Sequence, residues 1–286
     1  MGIFFALVAL FSWGFGDFLI QRSTRKFGSW IALFFITLVG AVTLTPFVWN
    51  DLSALLKDNY QLAFLLVASF IMLFAAWFDF QALKIGKISV IEPILAMEVP
   101  VTAFLAAFLI HESLSPAQSL TVLTLLVGVV LVSIKKLRHL KKINLETGVG
   151  FAVLATIAMG VVNFLFGVGA RTGNPLMIKW FTDVFLAIAS LIALLAQDRL
   201  KMVWRGLKNQ KCLIGGVCVL DNLAWVAFSL SVTHIPITIA TSLSESYIAL
   251  AALLGLILNR EKLNKHQLIG LIVVVISASI LAYITS

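Results

Sequence analysis

The chain has 286 residues, of which 61% are hydrophobic and only 12% charged, with a formal net charge of +8. A soluble domain carries about 25% charged residues, so this chain cannot cover itself with polar surface and must use lipid as part of its solvent. The positive balance does not imply nucleic acid, because the basic residues sit in short segments between apolar runs, where they fit topology signals and lipid headgroups.

In chain order, apolar runs predict membrane helices at 3–20, 30–49, 61–81, 88–110, 115–134, 147–168, 174–196, 211–231, 237–258 and 265–284. At about 1.5 Å per residue, each suffices for about 30 Å of hydrocarbon. The first run, MGIFFALVALFSW, has no basic leader and no A-x-A cleavage signal, so it reads as a retained span. Cys212 and Cys218 share one apolar run and read as small apolar filler, neither a metal pair nor a disulfide.

Of the 21 Lys and Arg, 18 fall in the junctions after spans one, three, five, seven and nine. Lys57 and Arg171 lie on the other side, and Lys179 is inside a span. The loaded side is expected to be cytoplasmic, which puts both termini of a ten-span chain outside the cell membrane.

The two halves repeat. GFGDFL at 14–19 matches GVVNFL at 160–165, and ALKIGKIS at 82–89 matches SLSVTHIP at 229–236. The segment 111–134 matches 260–283, with a shared E-x-L at 112–114 and 261–263. An odd number of spans per copy forces the copies to opposite topology. The loops agree: 50–61 has one Lys and two Asp, while its counterpart at 197–208 is strongly basic. The expected fold is an all-α integral membrane protein, ten helices arranged as two inverted five-helix repeats at 1–134 and 147–286, joined by a basic linker at 135–146. Inverted repeats of this kind build a midplane site that can open to either side.

These residues resemble the drug/metabolite transporter superfamily in its ten-span form with two EamA-type domains. The marks are the early Trp13-Gly14, Pro100 in the fourth span, and Glu112 and Glu261 closing the fourth span of each repeat. Pro100 has no counterpart, since Tyr247, Ile248 and Ala249 occupy the matching region. The resemblance implies transport of small molecules. It also implies cytoplasmic termini, against the charge count. It does not choose among amino acids, aromatic drugs, nucleotide sugars and amines.

A carboxylate inside lipid costs at least about 2.5 kcal/mol and persists only if paired, protonated or facing a polar cavity. Seven fall within the spans: Asp17, Asp79, Glu92, Glu98, Asp183, Asp221 and Glu245. Asp17, whose repeat partner is Asn163, reads either as a helix-end pair with Arg22 and Lys26 or as a cavity lining. Asp79 and Glu92 read as structural, neutralised by Lys84 and Lys87. Glu112 and Glu261 read as charges in the first turn of the helix that follows each.

Glu98 and Glu245 are repeat-related and lie well inside their spans, so a two-fold axis places them around one central cavity. Pro100 cannot donate its N–H and is expected to disrupt the helix near residue 96, freeing carbonyls beside Glu98. Thr241 and Ser242 fall on the Glu245 face at helical spacing, where their hydroxyls bind substrate or satisfy the Glu. Asp183 follows Lys179 by four residues and reads as a buried pair or as one that opens during transport. Asp221, beside Asn222 and one turn before Trp225, has no neutralising neighbour in sequence. Trp13, Phe18, Trp77, Phe78 and Trp225 could form an apolar or cation–π wall.

The candidate substrate-binding set is therefore Glu98, Glu245, Thr241, Ser242, Asp221, Trp225, Asp183, Trp13, Asp17 and Asn163. No G-x-x-x-x-G-K-[ST] motif, histidine cluster or metal spacing is present, so no cofactor, metal or catalysis is expected. The expected function is secondary transport of small polar metabolites, organic cations or amino acids by alternating access. Protons would be the coupling partner and membrane lipids the surroundings, and the unit would be a monomer or homodimer. A lipid-linked exporter or flippase is the runner-up. A lipid-modifying membrane enzyme is third, since it needs a hydrophilic Asp/His loop that is missing.

Overall fold

A computed structural model of the chain describes residues 1–86, 91, 94–133, 148–201, 203, 210–247, 250 and 265–285. Their regular structure is helical: α1 (Gly2–Phe27), α2 (Ser29–Val48), α3 (Leu52–Leu55), α4 (Asn59–Ile85), α5 (Glu98–Leu109), α6 (Pro116–Ser133), α7 (Val149–Arg171), α8 (Met177–Ala196), α9 (Lys211–Ser231), α10 (Ile237–Ser244) and α11 (Lys265–Thr285). Among the described residues, seven helices are long and apolar enough to cross a membrane. These are α1, α2 continued through α3, α4, α7, α8, α9 and α11, while α5 and α6 are shorter apolar helices. The chain is a multi-span all-α membrane protein.

Local sequence explains most helix ends. Asp58 caps α4 by accepting from the N–H groups of Tyr60 and Gln61, each at 3.0 Å. Ser115 and Gln118 form a reciprocal capping box at the start of α6, with Pro116 in the first helical position. Gly28 takes φ 93° between α1 and α2, a turn that a residue with a Cβ resists.

Two predicted spans are broken. The span expected at 88–110 turns at Ala96–Met97 before α5 begins, where the sequence placed the effect of Pro100. Thr156 of α7 donates at 2.8 Å to the Ile94 carbonyl, which also accepts from the Met97 N–H at 3.1 Å, and Thr102 ties α5 to the Gly160 carbonyl at 3.0 Å. The span expected at 237–258 turns at Glu245–Ser246, although no proline marks the spot. Parts of both runs, including Glu92, and also Glu261, lie outside the described residues.

The packing has two-fold symmetry. Exchange α1 with α7, α2 with α8, α4 with α9, α5 with α10 and α6 with α11. The pairing of α1 with α9 then becomes that of α7 with α4, and α5 on α7 becomes α10 on α1. The pairs α2–α8, α6–α11 and α5–α10 map onto themselves.

The two first helices also run in opposite directions. Gly2, at the start of α1, abuts Ile235, and its carbonyl accepts from Ser231. Arg171, at the end of α7, donates to the Val232 and Ile235 carbonyls. At the other end, Arg25 near the close of α1 donates to Lys84 and Gly86, and Gly148 before α7 lies against Gly86. So α1 runs from the Ile235 end to the Gly86 end, and α7 runs back. Arg199 lies beside Gly28, which adds to the basic residues at the Gly86 end. Gly14 and Gly160, the repeat-related glycines of the GFGDFL and GVVNFL motifs, seat the broken spans. A Cβ there would collide with Leu250 and Val101.

Candidate functional site

A cavity lies between the two halves. It is lined by Trp13 and Asp17 from α1, Asp79 from α4, Glu98 from α5 and Asn163 from α7. From the second half also come Lys179 and Asp183 of α8, Asp221 and Trp225 of α9, and Glu245 and Tyr247 beyond α10. Leu33, Ile36 and Thr37 of α2 contribute, so the wall is broader than spans one, three, four, six, eight and nine alone. Among the described residues, the lining thus holds six carboxyl groups against a single ammonium.

The helix breaks place the central pair. Glu98 is the first residue of α5, and Glu245 is the residue after α10. Both are buried, and they share a side-chain hydrogen bond, with the Asn163 amide facing Glu98. Asp17 is hydrogen-bonded by Tyr247. Because α1 continues to Phe27, Asp17 sits well inside the helix, and Arg22 lies over the Phe18 ring at 4.2 Å. That favours the cavity reading of Asp17 over the helix-end pair.

Asp79 belongs to this network too. It faces Asp17, Glu98 and Asp221, and its Oδ1 is buried with no hydrogen-bond partner. The neutralisation expected from Lys84 is not its setting. Asp79 was missed because a lysine nearby in sequence suggested a local pair. Its position one turn before the residues that match the second half, at 82–89, was the available signal.

On α8, Lys179 Nζ bonds Asp183 Oδ1 at 2.6 Å, with both side chains almost fully buried. The i, i+4 pair predicted from sequence is present. Asn222 donates both amide hydrogens, to the Ile36 carbonyl at 2.9 Å and the Cys218 carbonyl at 2.8 Å. Asp183 Oδ2 and Asn222 Oδ1 are buried and unpartnered. Both crowd Gly40 of α2, where a Cβ would collide with each oxygen.

Of the sequence-picked aromatics, Trp13 and Trp225 meet edge to face at 5.2 Å and line the cavity. Phe166 and Phe228 pack around Trp225. Trp77 and Phe78 belong to a different cluster, with Phe151. Thr241 and Ser242 are buried but stand apart from the lining. Their hydroxyls donate to the Ile237 and Thr238 carbonyls of their own helix. Glu112 is a capping charge, but for a helix of the other half. It accepts from the N–H groups of Ile237 at 2.8 Å and Thr238 at 3.0 Å, and from Arg171.

Among the described residues, no group of three or more His, Cys, Asp or Glu side chains has an arrangement that could hold a metal.

Comparison with known proteins agrees on family and fold. The EamA-like transporter family matches residues 1–134 and again 146–283. No curated protein sequence matches the chain. A solved crystal structure of a protein matches with a TM-score of 0.75 over 99% of this chain and 97% of that one, at 14% identity, which speaks to fold alone. With nearly its whole length covered by two successive matches, the chain belongs to the EamA-like transporter family.

Proposed function

We infer that the chain is a secondary transporter of small organic cations, amino acids included, which it exchanges against protons by alternating access. The carrying observation is the excess of six carboxyl groups over one ammonium in a single cavity between the halves. An amine loses hydration on entering and recovers it from Glu98, Glu245, Asp17 and Asp221, with Trp13 and Trp225 supplying cation–π contact. Asn163 can meet a polar group on the rest of the substrate. Six acids cannot all stay ionised in one small, low-dielectric space, so proton exchange accompanies binding.

The chain would cross the membrane ten times, as five-helix repeats at 1–134 and 147–286 with a basic linker between them. The basic Gly86 end would face the cytoplasm, and both termini would lie outside. The two repeats would rock against each other about the shared cavity.

Uptake into proteoliposomes tests this reading. Panels of amines, amino acids, neutral sugars and organic anions are compared with and without an acid-inside pH gradient. Amines and amino acids should be concentrated in response to the gradient. Gradient-independent uptake, or a preference for anions, overturns the reading.

A further inference from the structure

We propose that the coupling proton has its own seat, between Asp183 Oδ2 and Asn222 Oδ1 against Gly40, outside the group of carboxyls that meets the substrate. The proposal rests on the proton-exchange reading above and gives that exchange a place.

The orientation of Asn222 is settled by its partners. Both amide hydrogens point at backbone carbonyls, Ile36 on α2 and Cys218 one turn back on α9. An amide flipped the other way would oppose oxygen to oxygen at both sites, so the atom facing Gly40 is the acceptor. Asp183 is oriented as firmly, because Lys179 holds its Oδ1 at 2.6 Å. Its Oδ2 is therefore turned toward Gly40 as well.

Two acceptor oxygens then share the volume that one methyl group at residue 40 would fill. Neither receives a hydrogen bond, and the two residues are 2% and 8% exposed. Two buried acceptors facing each other without a donor are costly. A proton on Asp183 Oδ2 removes the cost at once, since the new O–H donates to Asn222 Oδ1. A metal cation fits this place poorly: only two oxygens converge, and the Lys179 ammonium already occupies the other oxygen of the same carboxyl.

The charged and titratable neighbours make the seat responsive. Lys179 faces Asp183 from its own helix and Asp221 faces it from α9, where Cys218 in turn faces Asp221 and Lys179. Asp79 of α4 lines the same cavity, and α2 contributes no titratable group. From α7, Asn163 reaches the cavity, while Arg171 is engaged at the helix end. With the proton in place, the Asp183 carboxyl adds no charge beside the Lys179 ammonium. Loss of the proton adds one negative charge beside the cavity. That charge favours entry of a cation, so proton release and substrate binding are linked. Loading forms one O–H bond at Oδ2, with the proton taken from water in the open cavity. Release returns it to water on the side then open.

Infrared difference spectroscopy on the purified full-length protein between acid and alkaline pH, without substrate, reads the seat. The wild type should show a deuterium-sensitive C=O band of a protonated carboxyl. The band should vanish in Lys179→Met/Asp183→Asn, a double variant that leaves no buried ammonium unpaired. In Asn222→Leu it should move to higher frequency, because its hydrogen-bond acceptor is gone. If the double variant does not fold, Asn222→Leu alone decides. A spectrum unchanged by either substitution overturns the seat and leaves a bridging water in its place. A separate measurement of gradient-driven amine uptake in vesicles keeps the two readings apart. Absent uptake with the band intact defeats the transport reading and spares the seat. Coupled uptake with an unchanged band does the reverse.

Discussion

Arg25 and Arg171 stand 146 positions apart and make the same pair of bonds at opposite ends of the bundle. Each closes the first helix of its half onto carbonyls at the end of that half's third span, Lys84 and Gly86 for Arg25, and Val232 and Ile235 for Arg171. Arg171 also supports Glu112, whose carboxylate caps α10 across the two halves. The first helix of one half is thus locked to the broken helix that leads to Glu245.

Removing either side of this staple should therefore act on the other. Glu112→Ala loses a cap worth about 0.5–2 kcal/mol. Arg171→Ala loses charge-assisted bonds worth about 1.5–3 kcal/mol each. Because the two residues touch, the double variant should lose less than the sum of the single losses. Thermal unfolding in detergent measures the cycle, and strict additivity would show that Arg171 and Glu112 act independently.

Much of this was legible in the sequence, and the failures have physical causes. The repeat, the buried Lys179–Asp183 pair and the central placement of Glu98 and Glu245 follow from spacing and from the cost of charge in lipid. The grouping of Thr241 and Ser242 with Glu245 assumed a continuous helix. Since α10 ends at Ser244, the rotation of about 100° per residue no longer applies at Glu245. Glu112 looked like a charge for its own next helix because a cap is normally local, but its partners lie 125 and 126 residues away. Gly40 carried no signal at all: a glycine in an apolar helix reads as simple packing until its neighbours are placed.

The central pair makes a direct functional prediction. Glu98→Gln and Glu245→Gln each keep a group that can share the hydrogen bond while removing a charge that meets the substrate. Insertion should be unaffected. Affinity for an amine should fall by about 10–150-fold, the equivalent of one charge-assisted hydrogen bond of about 1.5–3 kcal/mol. Uptake kinetics beside surface expression measure this. Wild-type transport by both variants would move the site toward Asp183 and Asp221.

Glycine positions offer a packing test with an internal control. Gly40→Ala inserts a methyl group between two fixed oxygens and should cost about 1–3 kcal/mol, as overpacking does. A Cβ at Gly215 meets nothing within 4 Å, and Gly215→Ala should be neutral or gain up to about 1 kcal/mol in helix propensity. Melting temperatures compare the two. An equal response at both positions would mean that the crowding at Gly40 relaxes freely.

The charge bias can be read from intact cells. Ser53 is exposed on α3, at the opposite end of α2 from the basic junction beside Gly28. In a background lacking Cys212 and Cys218, Ser53→Cys should react with a membrane-impermeant thiol reagent, while Lys141→Cys in the basic linker should not. Labelling of residue 141 and protection of residue 53 would reverse the orientation and put both termini in the cytoplasm.

The buried ion pair gives the sharpest energetic expectation. Lys179→Met leaves Asp183 without its ammonium, and Asp183→Leu leaves a buried ammonium without its carboxylate. Each should cost stability, up to about 3–5 kcal/mol where the group left behind stays charged. The double variant replaces the pair by apolar groups of similar size and should recover much of that loss. It should nevertheless fail to couple uptake to a pH gradient, since the carboxyl opposite Asn222 is gone. A double-mutant cycle on melting temperature, run beside an uptake assay, separates the two roles. Additive stability losses would contradict the 2.6 Å contact. Recovery of both stability and coupled transport would make the pair structural alone.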